Sequence, residues 1–216
     1  MKFEAARRSM VDSQLRPNKV TDQALLDAMA AIPREQFVPI AFQATAYVDE
    51  DVPLGNGRSL LEPMVLGRLI QAAAPSPNDF VLDVGSATGY GAAVLARLAA
   101  TVLGLEVDGA MADRANLALS SLGLGNAMIL QGPLEQGVPR QAPYNMIIIE
   151  GLADEVPPML LGQLADGGRL VGVFMDRGVG RAMLLTRNGE AISTRVLFDA
   201  SVSMLPGLQC QPGFVF

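Results

Sequence analysis

A short glycine turn and three carboxylates stand where this sequence can do chemistry. Gly85-Ser86-Ala87-Thr88-Gly89 ends the apolar run that begins at Val81, and a helical pattern opens behind it at Tyr90. Backbone N–H groups of such a turn, and of the helix start, can face a polar or anionic ligand group. A tight packing turn is the alternative reading. Glu106 ends a second apolar run, "LGLEVD", about 20 residues past the turn, with Val107 beside it. An acid at that spacing can accept hydrogen bonds from ribose hydroxyls. A solvated strand-end carboxylate is the alternative; as a ribose acceptor too, Glu106 is expected at the rim with no core packing. Glu150 follows "NMIII" and is expected at the rim of a sheet, beside the same cleft. Pro133 offers no backbone donor, while Leu134 can line an apolar slot.

The residue types narrow the chemistry. The 216 residues include no histidine and one cysteine, Cys210. Ser-His-Asp and Cys-His machinery and His-ligated metals are therefore excluded, as is an internal disulfide, and no metal site is expected. Chemistry that uses a Lys, Asp or Glu base, or no base, remains. The formal net charge of −6, without a Lys/Arg-rich run, argues against nucleic acid. No apolar stretch is long enough for a bilayer, and the charged opening lacks the apolar core of a signal peptide. The expectation is a cytoplasmic protein with no membrane partner, plausibly a monomer.

These residues need a scaffold to bring them together. Helical spacing predicts helices over 3–15 and 21–32, the second capped by Thr21 and ended by Pro33. Residues 38–62 read as an irregular functional loop, and Pro63 begins a helix. From Phe80 strands (80–84, 101–106, 127–131, 144–149, 169–174) alternate with helices (90–99, 109–122, 157–165). Runs such as "MIII" are apolar on both faces, as in a covered parallel sheet. "ADGGRLVGV" reads as a helix end, a glycine cap and a strand start. Asn188-Gly189 between two strand-like runs predicts an antiparallel hairpin. The expected architecture is one α/β domain over 1–216. Residues 1–78 form a helical and loop region, and 79–216 a Rossmann-like core with a mostly parallel sheet. The apolar residues of the tail "LPGLQCQPGFVF" favour packing over disorder.

Taken together, the motifs resemble the protein-L-isoaspartate O-methyltransferase family, over most of the chain. "MVDSQLRPNKVTDQALLDAMAAIPREQFVP" is similar to the family's N-terminal helices, and "AYVDEDVPLGNGRSLLEP" to its active-site loop. "VLDVGSATGYGAAVLARLA" is similar to its cofactor turn, "VLGLEVD" to its ribose strand and "PPMLLGQLADGGRLV" to the helix and strand behind the sheet. The resemblance implies a Rossmann-like methyltransferase fold, S-adenosyl-L-methionine as cofactor, and a peptide, protein or small-molecule methyl acceptor. Cofactor contacts then fall on Leu61, Gly85, Ser86, Ala87, Gly89, Tyr90, Glu106, Val107, Pro133 and Leu134. Catalytic roles fall on Ser59, Glu62 and Glu150.

The departures from the family pattern are specific. Its loop reads G-Q-T-I-S-Q-P, where this chain has Gly57-Arg58-Ser59-Leu60-Leu61-Glu62-Pro63. Leu61 replaces the catalytic serine and Glu62 the glutamine. If the loop is extended, residues 59 and 61 share a side, so Ser59 can offer a hydroxyl from a neighbouring place. Ala87 replaces a glycine, Pro133 the acid that helps hold adenine, and Asn145 an Asp. An isoaspartyl carboxylate, with a pKa near roughly 4, is already ionised and attacks without a general base. Two other readings remain: a binding protein that kept the fold without transfer, and a nicotinamide-dependent oxidoreductase. The second lacks the third glycine of its fingerprint, since Tyr90 stands there.

Overall fold

The structure, a computed structural model, describes residues 3–210. Helix α1 (Phe3–Met10) runs into a π-turn over Val11–Leu15, and α2 covers Gln23–Ala31. A small hairpin of β1 (Val52–Gly55) and β2 (Arg58–Leu60) precedes α3 (Pro63–Ala73). The core then runs β3 (Phe80–Val84), α4 (Tyr90–Leu95), β4 (Thr101–Glu106), α5 (Gly109–Ser121), β5 (Ala127–Gln131) and β6 (Tyr144–Ala153). It continues with α6 (Pro158–Leu161), β7 (Leu164–Asp176), β8 (Val179–Asn188) and β9 (Ala191–Asp199). The seven-stranded sheet has the order β5-β4-β3-β6-β7-β8-β9. Its first five strands pair in parallel, and β8 and β9 pair antiparallel. This is the expected Rossmann-like sheet with an antiparallel C-terminal hairpin.

Period-2 alternation explains why β6 reads as one apolar run. Met146 and Ile148 join the core on one face, and Ile147 and Ile149 the core on the other. Each face is covered, so neither set is polar. On the first face lie α1 to α5. On the second lie Leu134, Leu160, Leu164, Leu205 and Leu208.

Several boundaries differ from the sequence expectation. Asp22, not Thr21, caps α2, accepting the Leu25 N–H at 2.8 Å. The helix expected over 3–15 changes to a π-turn at Val11, and that expected over 90–99 ends at Leu95. The helix expected over 157–165 is only one turn, Pro158–Leu161, and β7 begins at Leu164. Two prolines and Gly162 weaken helix propagation there, and pairing with β6 takes the backbone. "ADGG" therefore lies within β7 rather than at a helix cap. The stretch 38–62 is not irregular throughout. Asn56 (φ +51°) and Gly57 (φ +71°) turn β1 into β2, the same Asn-Gly signal that predicts the β8–β9 hairpin.

At the C-terminal end the segment 203–205 lies alongside β6. Leu152 N–H donates to Ser203 O and Leu205 N–H to Leu152 O, both at 2.9 Å. Leu205 and Leu208 are buried, as expected of a packed tail, while 211–216 lie outside the described residues. Among the described residues no helix is long and apolar enough to cross a membrane.

Candidate active site

After β3 the chain moves outward to β4 and β5, then returns to the other side of β3 as β6. The carboxyl ends of β3 and β6 thus flank the switch point, where open α/β sheets bind ligands. The turn after β3 has positive φ at Gly85 (+79°), Ala87 (+48°) and Gly89 (+89°). At Ala87 this left-handed conformation costs about 1 kcal/mol relative to glycine. The expectation that the turn's N–H groups face a ligand is corrected for four of them. Gly85 and Ser86 donate to Leu105 O, Gly89 donates to Ser86 O, and Ala87 donates to Glu106 Oε2 at 2.8 Å. The turn closes on itself and on β4. The Ser86 hydroxyl also points inward, donating to Asp83 O at 2.7 Å.

Glu106 is at the expected place but not in the expected surroundings. Its side chain is 0% exposed, so the solvated rim position is overturned. One oxygen accepts from Val107 N–H at 2.9 Å and Asp108 N–H at 3.1 Å. The other accepts from Ala87 N–H and, at 2.9 Å, from Arg58 Nη2. The same Nη2 donates to Gly85 O at 2.7 Å. Arg58 is as buried as its partner, at 2% exposure, and its Nε–H has no partner. Leu205 completes the cover. A Cβ built on Gly85 would meet Leu205 Cδ2 at 3.0 Å and Arg58 Nη2 at 3.2 Å. Both residues therefore fill the space over the turn. Two polar contacts hold this cover in place. Asn56 Nδ2 donates to Asp108 Oδ2 at 2.8 Å, and Ser203 Oγ donates to Ser59 Oγ at 3.0 Å.

Glu150 is also corrected from rim to interior, at 4% exposure. The reason is that β6 continues to Ala153, past the end the sequence suggests. Its carboxyl reaches beneath the start of α4, leaving no room for a Cβ on Gly91, and lies near Asp83; Glu150 Oε1 and both Asp83 carboxyl oxygens are buried without another polar partner. Burial, followed by the charge of Asp83, raises the Glu150 pKa well above the usual carboxylate range. Burial pushes Asp83 up to about 7. Both shifts favour the protonated form, so the folded pair retains proton above the pH at which the unfolded chain's carboxylates, near roughly 4, have released theirs.

The folded state thus binds more protons above the unfolded value, and stability falls as pH rises from about 4 towards 7. The slope per extra proton is about 1.4 kcal/mol per pH unit. Asp83→Asn is expected to flatten the fall in Tm between about pH 5 and 7. Parallel Tm–pH curves for the two proteins, measured by circular dichroism, would refute the retained proton.

The loop residues are scattered by burial. β2 ends at Leu60, and the residues around it differ in their surroundings. Ser59 is half-buried and its hydroxyl is engaged with Ser203. Leu61 is 2% exposed and packs in the core. Its carbonyl accepts from Arg34 Nη2 at 2.7 Å. Arg34 is fully buried and also holds Ala46 O, clamping the start of α3. Glu62 is half-buried, and its N–H donates to Asp51 Oδ1 at 2.7 Å. Burial, then Asp49, Asp51 and Glu50, raise its pKa.

Tyr90 is fully buried, its ring 5.6 Å from that of Phe37 and 4.9 Å beneath the Arg34 guanidinium. Pro133 is exposed, whereas Leu134 is 0% exposed in the second core and does not line an open slot. Val107 is 39% exposed.

The structure thus brings Gly85, Ala87, Glu106 and Val107 together, and places Glu150 under the same turn. Arg58, Asp83 and Leu205 are the residues that sequence reasoning missed. Asp83 had a signal: a charge inside a strand covered on both faces is a buried polar group needing a partner. Arg58 had a weaker one, a cation in the glutamine's place of the resembling loop.

Comparison with known proteins bears on the family and the fold. Residues 6–200 match the family described as Protein-L-isoaspartate(D-aspartate) O-methyltransferase (PCMT). A protein-L-isoaspartate O-methyltransferase of Koribacter versatilis is 39% identical over 169 residues, covering 78% of this chain and 76% of its own. One of Roseiflexus castenholzii is 37% identical over 207 residues, covering 96% and 94%. Among solved structures, a β-aspartate methyltransferase (PCMT) from Plasmodium falciparum in complex with S-adenosyl-L-homocysteine superposes with a TM-score of 0.81. It is 18% identical, with 93% of this chain and 98% of that one covered.

Proposed function

Because the chain belongs to the protein-L-isoaspartate(D-aspartate) O-methyltransferase family, we propose that it is an S-adenosyl-L-methionine-dependent O-methyltransferase. The observation that carries this reading is Glu106, held by three backbone N–H groups beside the Gly85–Gly89 turn at the switch point. A transferase takes precedence over a non-catalytic binding protein, since the match spans nearly the whole chain and the relatives carry an enzyme's name.

The residues fit the cofactor by chemistry. Glu106 would accept hydrogen bonds from the ribose hydroxyls. The Asp83–Glu150 pair, which retains proton, lies buried near Glu106 and leaves Glu106 as the charged acceptor of the site. When bound, S-adenosyl-L-methionine supplies an electrophilic methyl group on a sulfonium. The chain's part is then to orient the acceptor in line and keep water out. No histidine is needed, since a carboxylate acceptor is already ionised at neutral pH. The space over Gly85, beside Glu106, is filled by Arg58 and Leu205, so binding there requires both to withdraw.

The acceptor is a peptide, protein or small molecule, with an isoaspartyl carboxylate as the family's substrate class. The net charge of −6 disfavours nucleic acid. Calorimetric titration with S-adenosyl-L-methionine, its demethylated product and NAD tests the reading. The first two are expected to bind and NAD to fail. Binding of NAD alone would overturn it in favour of an oxidoreductase.

A further inference from the structure

We propose that Arg58 is a built-in occupant of the ribose place, and that the cofactor binds in competition with it. This rests on the reading of the cleft as a cofactor site. The Arg58 guanidinium does there what a bound cofactor would do. It donates to Glu106 Oε2, as a ribose hydroxyl would. It also pairs its positive charge with the buried Glu106 carboxylate. Leu205 takes the remaining space over Gly85.

The occupant stands beside the tip of a small hairpin whose base, through Val52, Leu54 and Leu60, packs in the core. Arg58 begins β2 of a two-stranded hairpin that is separate from the main sheet. The hairpin tip is tied down by the Asn56–Asp108 bond, which is exposed. The single Ser59–Ser203 bond joins it to the segment bearing Leu205. Of the two, the exposed Asn56–Asp108 bond contributes little to stability, while the Ser59–Ser203 bond is part-buried. The Arg58 Nε–H lacks a partner while buried, so the closed arrangement is not fully satisfied. When Arg58 leaves, Glu106 keeps its three backbone donors and needs no other partner until the ribose arrives. Withdrawal of the Arg58 side chain with the hairpin tip would therefore uncover the ribose place, the base of the hairpin staying in the core.

The linkage follows from population arithmetic. If the closed form outweighs the open one about tenfold, the apparent Kd rises about tenfold above that of the open form. Arg58→Gln, which restores the residue of the resembling loop, and Arg58→Met are the variants to titrate with S-adenosyl-L-methionine. Both are expected to bind at least about tenfold more tightly than the native chain. A second measurement needs no cofactor: a double-mutant cycle of Arg58→Met and Glu106→Ala on ligand-free thermal unfolding. The single changes are expected to lower Tm more in sum than the double change does.

Native affinity equal to that of both Arg58 variants overturns the competition and leaves the cofactor reading standing. Additive Tm changes overturn the buried pair itself. Binding by none of the folded variants, with the cycle still non-additive, overturns the cofactor reading and the competition with it.

Discussion

Glu106→Ala is expected to destabilise the ligand-free protein by about 3–5 kcal/mol, the range for removing one partner of a buried ion pair. The change leaves Arg58 at 2% exposure with its charge unpaired, and it orphans the N–H groups of Ala87, Val107 and Asp108. For a chain of this size each kcal/mol shifts Tm by roughly 2–4 °C, so a fall on the order of 10 °C is expected in a thermal melt. A solvated strand-end carboxylate would give almost none. A Tm within about 2 °C of native would therefore show that Glu106 lies in water and that the closed cleft is wrong. The size of the effect also shapes how ribose recognition is measured. A ribose contact contributes about 1.5–3 kcal/mol, less than the folding defect of the same substitution. Binding by Glu106→Ala has meaning only below its own melting transition, per folded molecule.

The alternation of strand and helix from Phe80 was legible because it rests on local chemistry. Each face of β6 is apolar at period 2, and Gly189 supplies the positive φ (+61°) of the tight turn after Asn188. The turn at Gly85 and the acid at Glu106 were legible for the same reason, since their spacing is set by one strand–helix–strand unit. Their burial was not. Arg58 lies 27 residues from Gly85 and 48 from Glu106 in the chain, and Ser203 lies 144 residues from Ser59. No window of sequence holds both partners, and an arginine in a loop of glycines is ordinarily solvated. The rim position inferred for Glu150 failed for a different reason. The strand was ended where apolar residues ended, but pairing with β7 carries β6 to Ala153, with an irregularity between Ile148 and Leu152. Polar residues inside a sheet need a partner in space, and Asp83 supplies it from the neighbouring strand.

Isoaspartyl peptide is expected to be a slow acceptor for the native chain, by on the order of 10²–10³ relative to a loop that presents a positioned hydroxyl. The resemblance places the catalytic serine at residue 61, and Leu61 is buried in the core with no polar atom to offer. Ser59, the candidate substitute, has its hydroxyl engaged with Ser203. Glu62 adds a like charge among Asp49, Glu50 and Asp51, close enough together to raise its pKa. An anionic acceptor is repelled by that group more strongly as water is excluded. The measurement is methyl transfer from labelled S-adenosyl-L-methionine to an isoaspartyl peptide, for native protein, Glu62→Gln, and Glu62→Gln with Leu61→Ser. Glu62→Gln alone is expected to lower KM by relieving repulsion, with little change in kcat. The double variant is expected to raise kcat as well, if rates are taken per folded molecule. That correction matters because removing the Leu61 side chain from the core costs about 2–5 kcal/mol by itself. Adding arginine side chains to the peptide should offset the acidic loop in the native protein and have less effect in Glu62→Gln. Native turnover matching the double variant would show that neither residue limits the reaction. A double variant that stays as slow as native, while folded and cofactor-bound, would move the acceptor away from isoaspartyl peptide to one that the acidic loop attracts.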